Sequence, residues 1–374
     1  MTLREIADVI TKGTTPTTLG YDFQDEGINF LKIECFDEAG NYLGNCAHIS
    51  EECNEKLSRS KLQENDILFS IAGAIGRVAI VTEDLLPANT NQALAIIRIS
   101  GDEVYLPYIK LILQSGIVRR QFEKQKQGVA QLNLSLKNIG DLIIPLFSKE
   151  RQMEFVELFS KVQVLIDNRR SQLVELDTLI KARFVEMFGD PIQNEKNWSR
   201  RSLEQLCHSI VDCPHSTPNY ISEDTGFMCI RTSVVKKNKI LWDEIEYIVE
   251  DEFNQRIQRK RPEKGDIVYT REGAILGIAA IIDRNCNVAL GQRSMLLSPD
   301  SSVCTSEFIC TAMNSDSFLS NALRGISGSA SPHINVGDIK SFEMIAPPLE
   351  LQRKFSEFNS QVDKLKVVET NARF

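Results

Sequence analysis

The chain has 374 residues, a formal net charge of −8, 42% hydrophobic and 25% charged residues, the balance of a folded protein rather than a disordered one. At roughly 100 to 200 residues per domain this length predicts two or three compact units. With no run near the ~18 apolar residues of a membrane span and no signal-like N-terminus, a cytosolic protein is expected, and the acidic total argues against a chain that neutralises many phosphates unaided.

In chain order, residues 1–147 read as a mixed section of short strands and helices. Short β-branched runs bounded by turn residues predict strands at Asp66–Ile71, Val78–Val81 and Ala93–Ile97,. Gly73 and Gly76 fall between the first two, as hairpin glycines needing positive φ or close backbone approach,. A helix is expected at Pro107–Ser115. Past Ile144-Pro145, a segment without Gly or Pro carries Phe159, Val162, Ile166, Leu173, Leu176, Ile180, Phe184 and Met187 at three-four spacing, a heptad-like stripe that predicts one long helix over 148–188. Gly189-Asp190-Pro191 ends it,. Residues 189–347 begin with a polar linker and again show strand signals, Asp266–Thr270 and Ser294–Leu297, then a helix at Ser306–Asn321. Residues 348–374 repeat the stripe with Leu351, Phe355, Phe358, Val362 and Leu365. A helix of about 40 residues is about 60 Å long, so the two long helices are expected to pack on each other.

The second half repeats the first at an offset of 200 residues. Asn65-Asp66-Ile67-Leu68-Phe69 matches Gly265-Asp266-Ile267-Val268-Tyr269, and Gly73-Ala74-Ile75-Gly76 matches Gly273-Ala274-Ile275-Leu276-Gly277. Gln92, Leu134, Ile139, Leu142, Gln152 and Phe155 fall opposite Gln292, Ile334, Ile339, Phe342, Gln352 and Phe355. Upstream, Gly13-Thr14-Thr15-Pro16 faces His215-Ser216-Thr217-Pro218. One unit has been duplicated.

Familiar catalytic signatures are absent: there is no GxxxxGK[ST], no GxGxxG between strand and helix, no HExxH and no GxSxG,. Cys207, His208, Cys213 and His215 cluster in sequence, but they lack the tight paired spacing of a zinc site, and the repeat mate of this segment holds no Cys or His,. They read as core thiols with a loop histidine. The nine cysteines, odd in number and scattered, read as reduced thiols rather than a disulfide framework. No metal and no resident cofactor are expected.

Two like domains, each followed by a long helix, suggest a pseudo-symmetric reader of two different DNA half-sites about one helical turn (~34 to 36 Å) apart. The order of the motifs, occurring twice, resembles the specificity subunits of type I restriction-modification enzymes over nearly the whole chain. The matching elements are the Thr-Pro segments, the Asp-Ile strands with their glycine hairpins, the Gln92 and Gln292 strands, and the loops 128–135 and 328–335. The proline exits that lead to Glu-Arg-Gln or Glu-Leu-Gln complete the set. The resemblance implies an α+β fold of two homologous mixed α/β target recognition domains in tandem, separated by two long helices packed as an antiparallel coiled coil, with pseudo-two-fold symmetry. It also implies no catalytic site in this chain. Double-stranded DNA, two modification (methyltransferase) subunits and, where present, restriction subunits are the implied partners, with S-adenosylmethionine and ATP bound by those partners. Two features depart from the family pattern: the second long helix is about a dozen residues shorter than the first, and Pro145 stands where a Pro-Pro pair is more usual.

Candidate DNA contacts in the first domain are Arg119, Arg120, Lys124 and Lys126 for phosphates, with Gln131 and Asn133 for base edges,. In the second they are Lys236, Lys237, Arg259, Lys260, Arg261, Arg271, Arg293, Ser329 and His333. The alternative reading of such basic runs is solvated surface charge. At the level of the whole chain the alternatives are a scaffold or decoy that binds no DNA, and a nuclease or methyltransferase acting alone. The acidic total predicts weak DNA binding by the isolated chain.

Overall fold

The computed structural model describes residues 1–123, 133–273, 275–324 and 332–371, with side chains in the last helix as far as Lys366. It divides into two compact units, Met1–Ile166 and Asp167–Phe374.

The first unit contributes strands β1 (Val9–Lys12), β2 (Ile28–Leu31), β3 (Ala47–Ile49), β4 (Ile67–Ser70), β5 (Val78–Ile80), β6 (Ala88–Thr90) and β7 (Leu94–Arg98). Strands β1-β7-β4-β5 form an antiparallel sheet, and β3-β2-β6 a smaller one in which β2 and β6 run parallel. The second unit contributes β8 (Arg200–Ser202), β9 (Cys207–Asp212), β10 (Met228–Ile230), β11 (Val235–Lys236), β12 (Lys239–Ile240), β13 (Glu246–Tyr247), β14 (Ile267–Thr270), β15 (Ala279–Ile281), β16 (Val288–Leu290), β17 (Ser294–Pro299) and β18 (Glu343–Ile345). Its sheets β9-β17-β14-β15 and β13-β10-β16 repeat the first unit's topology. The register repeats too, with Ile67 opposite Ile97 and Ile267 opposite Leu297.

Each four-stranded sheet lies between two apolar layers, which explains why its central strands read as continuous hydrophobic runs. Successive side chains alternate between faces. Ile67 and Phe69 enter a core shared with Tyr108, Ile109, Val118 and Ile139, while Leu68 and Ile96 enter another with Leu31, Ile33 and Leu85. In the second unit Ile267 and Tyr269 face Phe308, Ile309 and Ile339, and Val268 and Leu296 face Ile230, Val234 and Val288. Cys35, Cys213, Cys304 and Cys310 are buried in these layers, and Cys53 and Cys229 in smaller clusters beside Phe30 and Phe253. Burial pushes the thiols of Cys229 and Cys304 up to about 12, so they stay protonated at neutral pH.

One expected helix is broken. Instead of a single helix over Ser306–Asn321, the chain forms Ser306–Met313 and Asp316–Ala322. At the break, Ser315 Oγ accepts from Phe318 N–H at 3.3 Å, which caps the second helix,. Asn314 turns inward: its amide exchanges hydrogen bonds with Ala279 N–H and C=O on β15 at 3.0 and 2.8 Å. The first unit has the matching pair Leu106–Gln114 and Gly116–Glu123.

The long helices span Lys149–Phe188 and Leu349–Asn371. Each is fixed to its unit by a buried glutamine amide. Gln152 Nε2 donates to Glu103 O and Phe147 O at 2.9 and 2.8 Å, and its Oε1 accepts from Tyr105 N–H at 2.9 Å. Gln352 donates to Pro347 O at 2.8 Å and accepts from Thr305 N–H at 3.0 Å. Within the second unit the two helices run antiparallel. Phe184 and Phe355 rings lie 5.5 Å apart, the Arg183 guanidinium sits 5.9 Å from the Phe358 ring, and Lys366 pairs with Asp177 at 2.8 Å.

The apolar stripe is therefore not one continuous seam. Ile180, Phe184 and Met187 are buried, but Phe159, Val162 and Ile166 are 53%, 43% and 41% exposed. Phe155 and Val156 pack on the first unit's core, whereas the described pairing with the second helix reaches only to Asp177. Between these two anchorages Leu173 is half-buried, and Phe159, Val162 and Ile166 face outward.

Replacing Gln152 with Leu would leave three partly buried backbone groups without their side-chain partner, at about 1 kcal/mol each. Urea unfolding of the full chain should show a loss of about 3 kcal/mol in the first unit; a loss under about 0.5 kcal/mol would refute this anchoring role.

Candidate nucleic-acid interface

The motifs that repeat in sequence gather at one end of each four-stranded sheet, tied together by equivalent backbone hydrogen bonds. In the first unit Gly13 N–H donates to Leu94 O, Ile71 N–H to Ala93 O, Leu134 N–H to Ile71 O and Gly76 N–H to Ser70 O, at 2.9 to 3.4 Å. In the second, Cys213 donates to Ser294, Arg271 to Arg293, Ile334 to Arg271 and Gly277 to Thr270, at 2.8 to 3.2 Å. Gly73, Gly76, Gly273 and Gly277 all take positive φ, the hairpin conformation that a Cβ disfavours.

At the surface of each edge the same side-chain pair forms. Thr15 Oγ1 donates to Gln92 Oε1, and Thr217 Oγ1 to Gln292 Oε1 at 3.2 Å. Pro16 and Pro218 are buried behind the threonines. The repeat displays these four residues, but they carry no charge and so do not stand out as candidate contacts in a search for basic runs.

Around this shared frame the two edges differ chemically. The positions of Lys12, Ile71, Ala72 and Asn133 in the first unit are held by Asp212, Arg271, Glu272 and His333 in the second. Arg271 is almost wholly buried. Its Nε and Nη2 donate to Asp212 carboxylate oxygens at 2.9 and 3.2 Å, Nη2 lies 2.8 Å from Glu272, and Nη1 donates to Ile334 O at 3.4 Å. The guanidinium is thus committed to binding the ends of the edge loops to one another, and we leave it out of the DNA-contacting set. His215 stands exposed with Nε2 3.1 Å from Asp212, and Arg259 donates to Asp212 O at 3.3 Å. Exposed Arg293, in the turn at φ 70°, and exposed His333, bridged to Glu272, complete this edge.

The remaining candidates divide by partner. Arg119 and Arg120 are exposed on Gly116–Glu123, a helix held down by Val118 and Phe122, and Arg119 lies 3.4 Å from Glu123. Asn133 is exposed beside Leu134, on the first edge. Lys236 and Lys237 lie on the β11–β12 hairpin, with Lys237 3.0 Å from Asp316. Lys260 pairs with Glu263 at 3.2 Å and lies 3.6 Å from Asp266, while Arg261 donates to Asn287 Oδ1 at 2.6 Å. Lys124, Lys126, Gln131 and Ser329 lie outside the described residues. Among the described residues no group of three His, Cys, Asp or Glu side chains is placed to hold a metal ion. Cys213 Sγ instead accepts from Ser294 N–H at 3.4 Å, and His208 Nε2 lies 3.4 Å from Asp300. Nor is any described helix long and apolar enough to cross a membrane.

The family model for the type I restriction modification DNA specificity domain matches the chain twice, over residues 1–176 and 195–372. The chain belongs to this family. It is 32% identical to the type I restriction enzyme EcoBI specificity subunit of Escherichia coli over 156 residues, 41% of this chain and 32% of that one. It is 22% identical to the type I restriction enzyme MjaVIII specificity subunit of Methanocaldococcus jannaschii over 324 residues, 81% of this chain and 73% of that one. The match thus spans about a third of the first relative's length. Among solved structures, one describing complex assembly and conformational transition of the type I R-M system superposes with a TM-score of 0.61 at 17% identity, over 100% of this chain and 92% of that one. The type I restriction-modification S subunit of M. genitalium gives 0.51 at 14% identity, over 100% and 91%. These likenesses support the α+β fold with its tandem specificity domains. The matched family is that of a DNA specificity domain, and the two edges are where these domains gather their repeated motifs.

Breaking a buried ion pair strands a charge and costs about 3 to 5 kcal/mol. Arg271→Met should therefore destabilise the second specificity domain by about 3 kcal/mol in urea unfolding and leave the first unchanged. A loss under about 1 kcal/mol would show that the arginine does not hold the edge together.

Proposed function

We propose that the chain is the sequence-reading subunit of a type I restriction-modification complex, reading a bipartite asymmetric DNA target with one unit per half-site. The observation that carries this reading is the duplicated edge: one hydrogen-bonded frame, built twice, bearing different side chains. A shared frame would dock each unit on DNA in the same way, and the differing residues would read different bases. Phosphate contacts fix position while base contacts give sequence. In this reading Arg119 and Arg120 supply the first kind on one unit, Arg259 and Arg293 on the other, with the side chains at the edges supplying the second. The long helices set the spacer between half-sites.

The chain performs no catalysis in this proposal. Two modification subunits would bind S-adenosylmethionine and methylate the target, and restriction subunits, where present, would use ATP. The net charge of −8 fits a subunit whose partners provide much of the phosphate neutralisation, so the isolated chain should bind DNA weakly.

Gel-shift and footprinting assays with the matching modification subunits test the proposal. Protection of a two-part site is expected; no protection of any bipartite site would overturn it. Replacing both Arg119 and Arg120 with Ala should weaken binding across sequences and reduce the slope of log affinity against log salt by roughly one to two units. An unchanged slope would remove these two arginines from the phosphate contacts.

A further inference from the structure

We propose that Gln92 and Gln292 are the paired base-reading residues of the two units, each held in its reading position by the hydroxyl of Thr15 or Thr217. This rests on the DNA-reading function proposed above and names residues that perform it.

Three observations support the assignment. First, each glutamine leaves a turn whose backbone is fixed. Ala93 N–H donates to Asn91 Oδ1 at 3.1 Å and Ala93 O accepts from Ile71 N–H at 2.9 Å; Gly291 N–H donates to Ile230 O at 2.9 Å and Arg293 O accepts from Arg271 N–H at 3.0 Å. Second, close backbone approach holds both turns. A Cβ on Gly13 would lie 2.0 Å from Thr90 O, and one on Gly291 2.9 Å from Ile230 O. Third, the Thr–Gln contact survives while its surroundings diverge: the turns read Asn91-Gln92-Ala93 and Gly291-Gln292-Arg293, and the segment before the second threonine is two residues longer. A hydrogen bond between two surface side chains contributes little to folding when water can replace either partner. Its recurrence at the same place on both edges points to a role outside the fold.

The chemistry of the pair specifies what it would read. A glutamine amide offers two N–H donors and an oxygen with two lone pairs. The threonine hydroxyl occupies one lone pair and restricts rotation, leaving the other lone pair and the N–H donors for a ligand. One acceptor beside one donor is the set that pairs bidentately with N6 and N7 of adenine in the major groove. Each half-site is therefore assigned one adenine read by the glutamine of its unit. Holding a long side chain in place before binding is the usual route to precise recognition.

The test uses the full chain co-expressed with its modification subunits in a host lacking the system, with methylated bases mapped across the host genome. Wild type should give a two-part motif. Gln92→Ala should relax one adenine position in one half, lowering its preference about ten- to a hundredfold, with the other half unchanged; Gln292→Ala should do the same in the opposite half. Thr15→Val should weaken preference at the position affected by Gln92→Ala. Should Gln92→Ala abolish methylation altogether, Gln92→Glu decides the matter: its carboxylate can still accept from Thr15 but lacks the amide donor, and preference at that position should move from adenine towards cytosine. If wild type methylates a bipartite motif and neither glutamine variant alters any position, the inference is overturned. If wild type gives no bipartite motif, the DNA-reading proposal itself fails.

Discussion

An antiparallel sheet buried on both faces governs the position of everything functional in each unit. Because alternate residues of β4, β7, β14 and β17 feed two separate cores, a one-residue slip would send every side chain to the wrong layer. Register is therefore fixed, and with it the ends of the strands. The Thr-Pro segment, the glycine hairpin, the glutamine turn and the returning chain at Leu134 or Ile334 all hang from those ends. Their mutual distances are set by the cores rather than by the loops.

Such a frame allows the surface to change without moving. The aspartate just before β4 and its copy just before β14 show this on a small scale. Asp66 is buried and held bidentately by Arg98 at 2.7 Å, whereas Asp266 has Lys260 at 3.6 Å. Both accept from the backbone N–H three residues earlier, Gln63 at 2.8 Å and Glu263 at 2.9 Å. The turn geometry is the same and the counter-ion has been exchanged. At the edge itself, the places of Ile71, Lys12 and Ala72 are taken by Arg271, Asp212 and Glu272: a core-packed isoleucine in one unit is an ion-paired arginine in the other. Two units with one skeleton can thus present different chemistry at equivalent positions.

Much of the fold could be read from the residues because it rests on patterns with a fixed period. The 200-residue offset revealed the duplication, the central strands stood out as apolar runs, and the absence of Gly and Pro marked the long helix. The second sheet of each unit was not legible: its strands are two to four residues long, and in β6 two of the three side chains, Asn89 and Thr90, are polar and buried. Their satisfaction comes from distant partners such as Asn54 and Leu31, which local pattern does not reveal. The helical stripe identified a face but not where a partner along it would stop, so the exposure of Phe159, Val162 and Ile166 emerges only in three dimensions. A basic residue likewise does not announce its counter-ion. Arg119 and Arg271 are both candidates in sequence, yet one lies on a surface helix and the other is enclosed by carboxylates. The Thr15–Gln92 and Thr217–Gln292 pairs show the converse, since their partners lie about 75 residues apart and gain meaning only when the edges are superimposed.

The central claim is that the duplicated sheet edges face the DNA. Hydrogen–deuterium exchange of the chain in complex with its modification subunits, with and without the DNA they methylate, tests it most directly. Slowed exchange on DNA binding should concentrate at residues 13–15 and 91–93 in the first unit and at 215–217 and 291–293 in the second. Protection of only one unit, or protection confined to the long helices with both edges unchanged, would contradict the account.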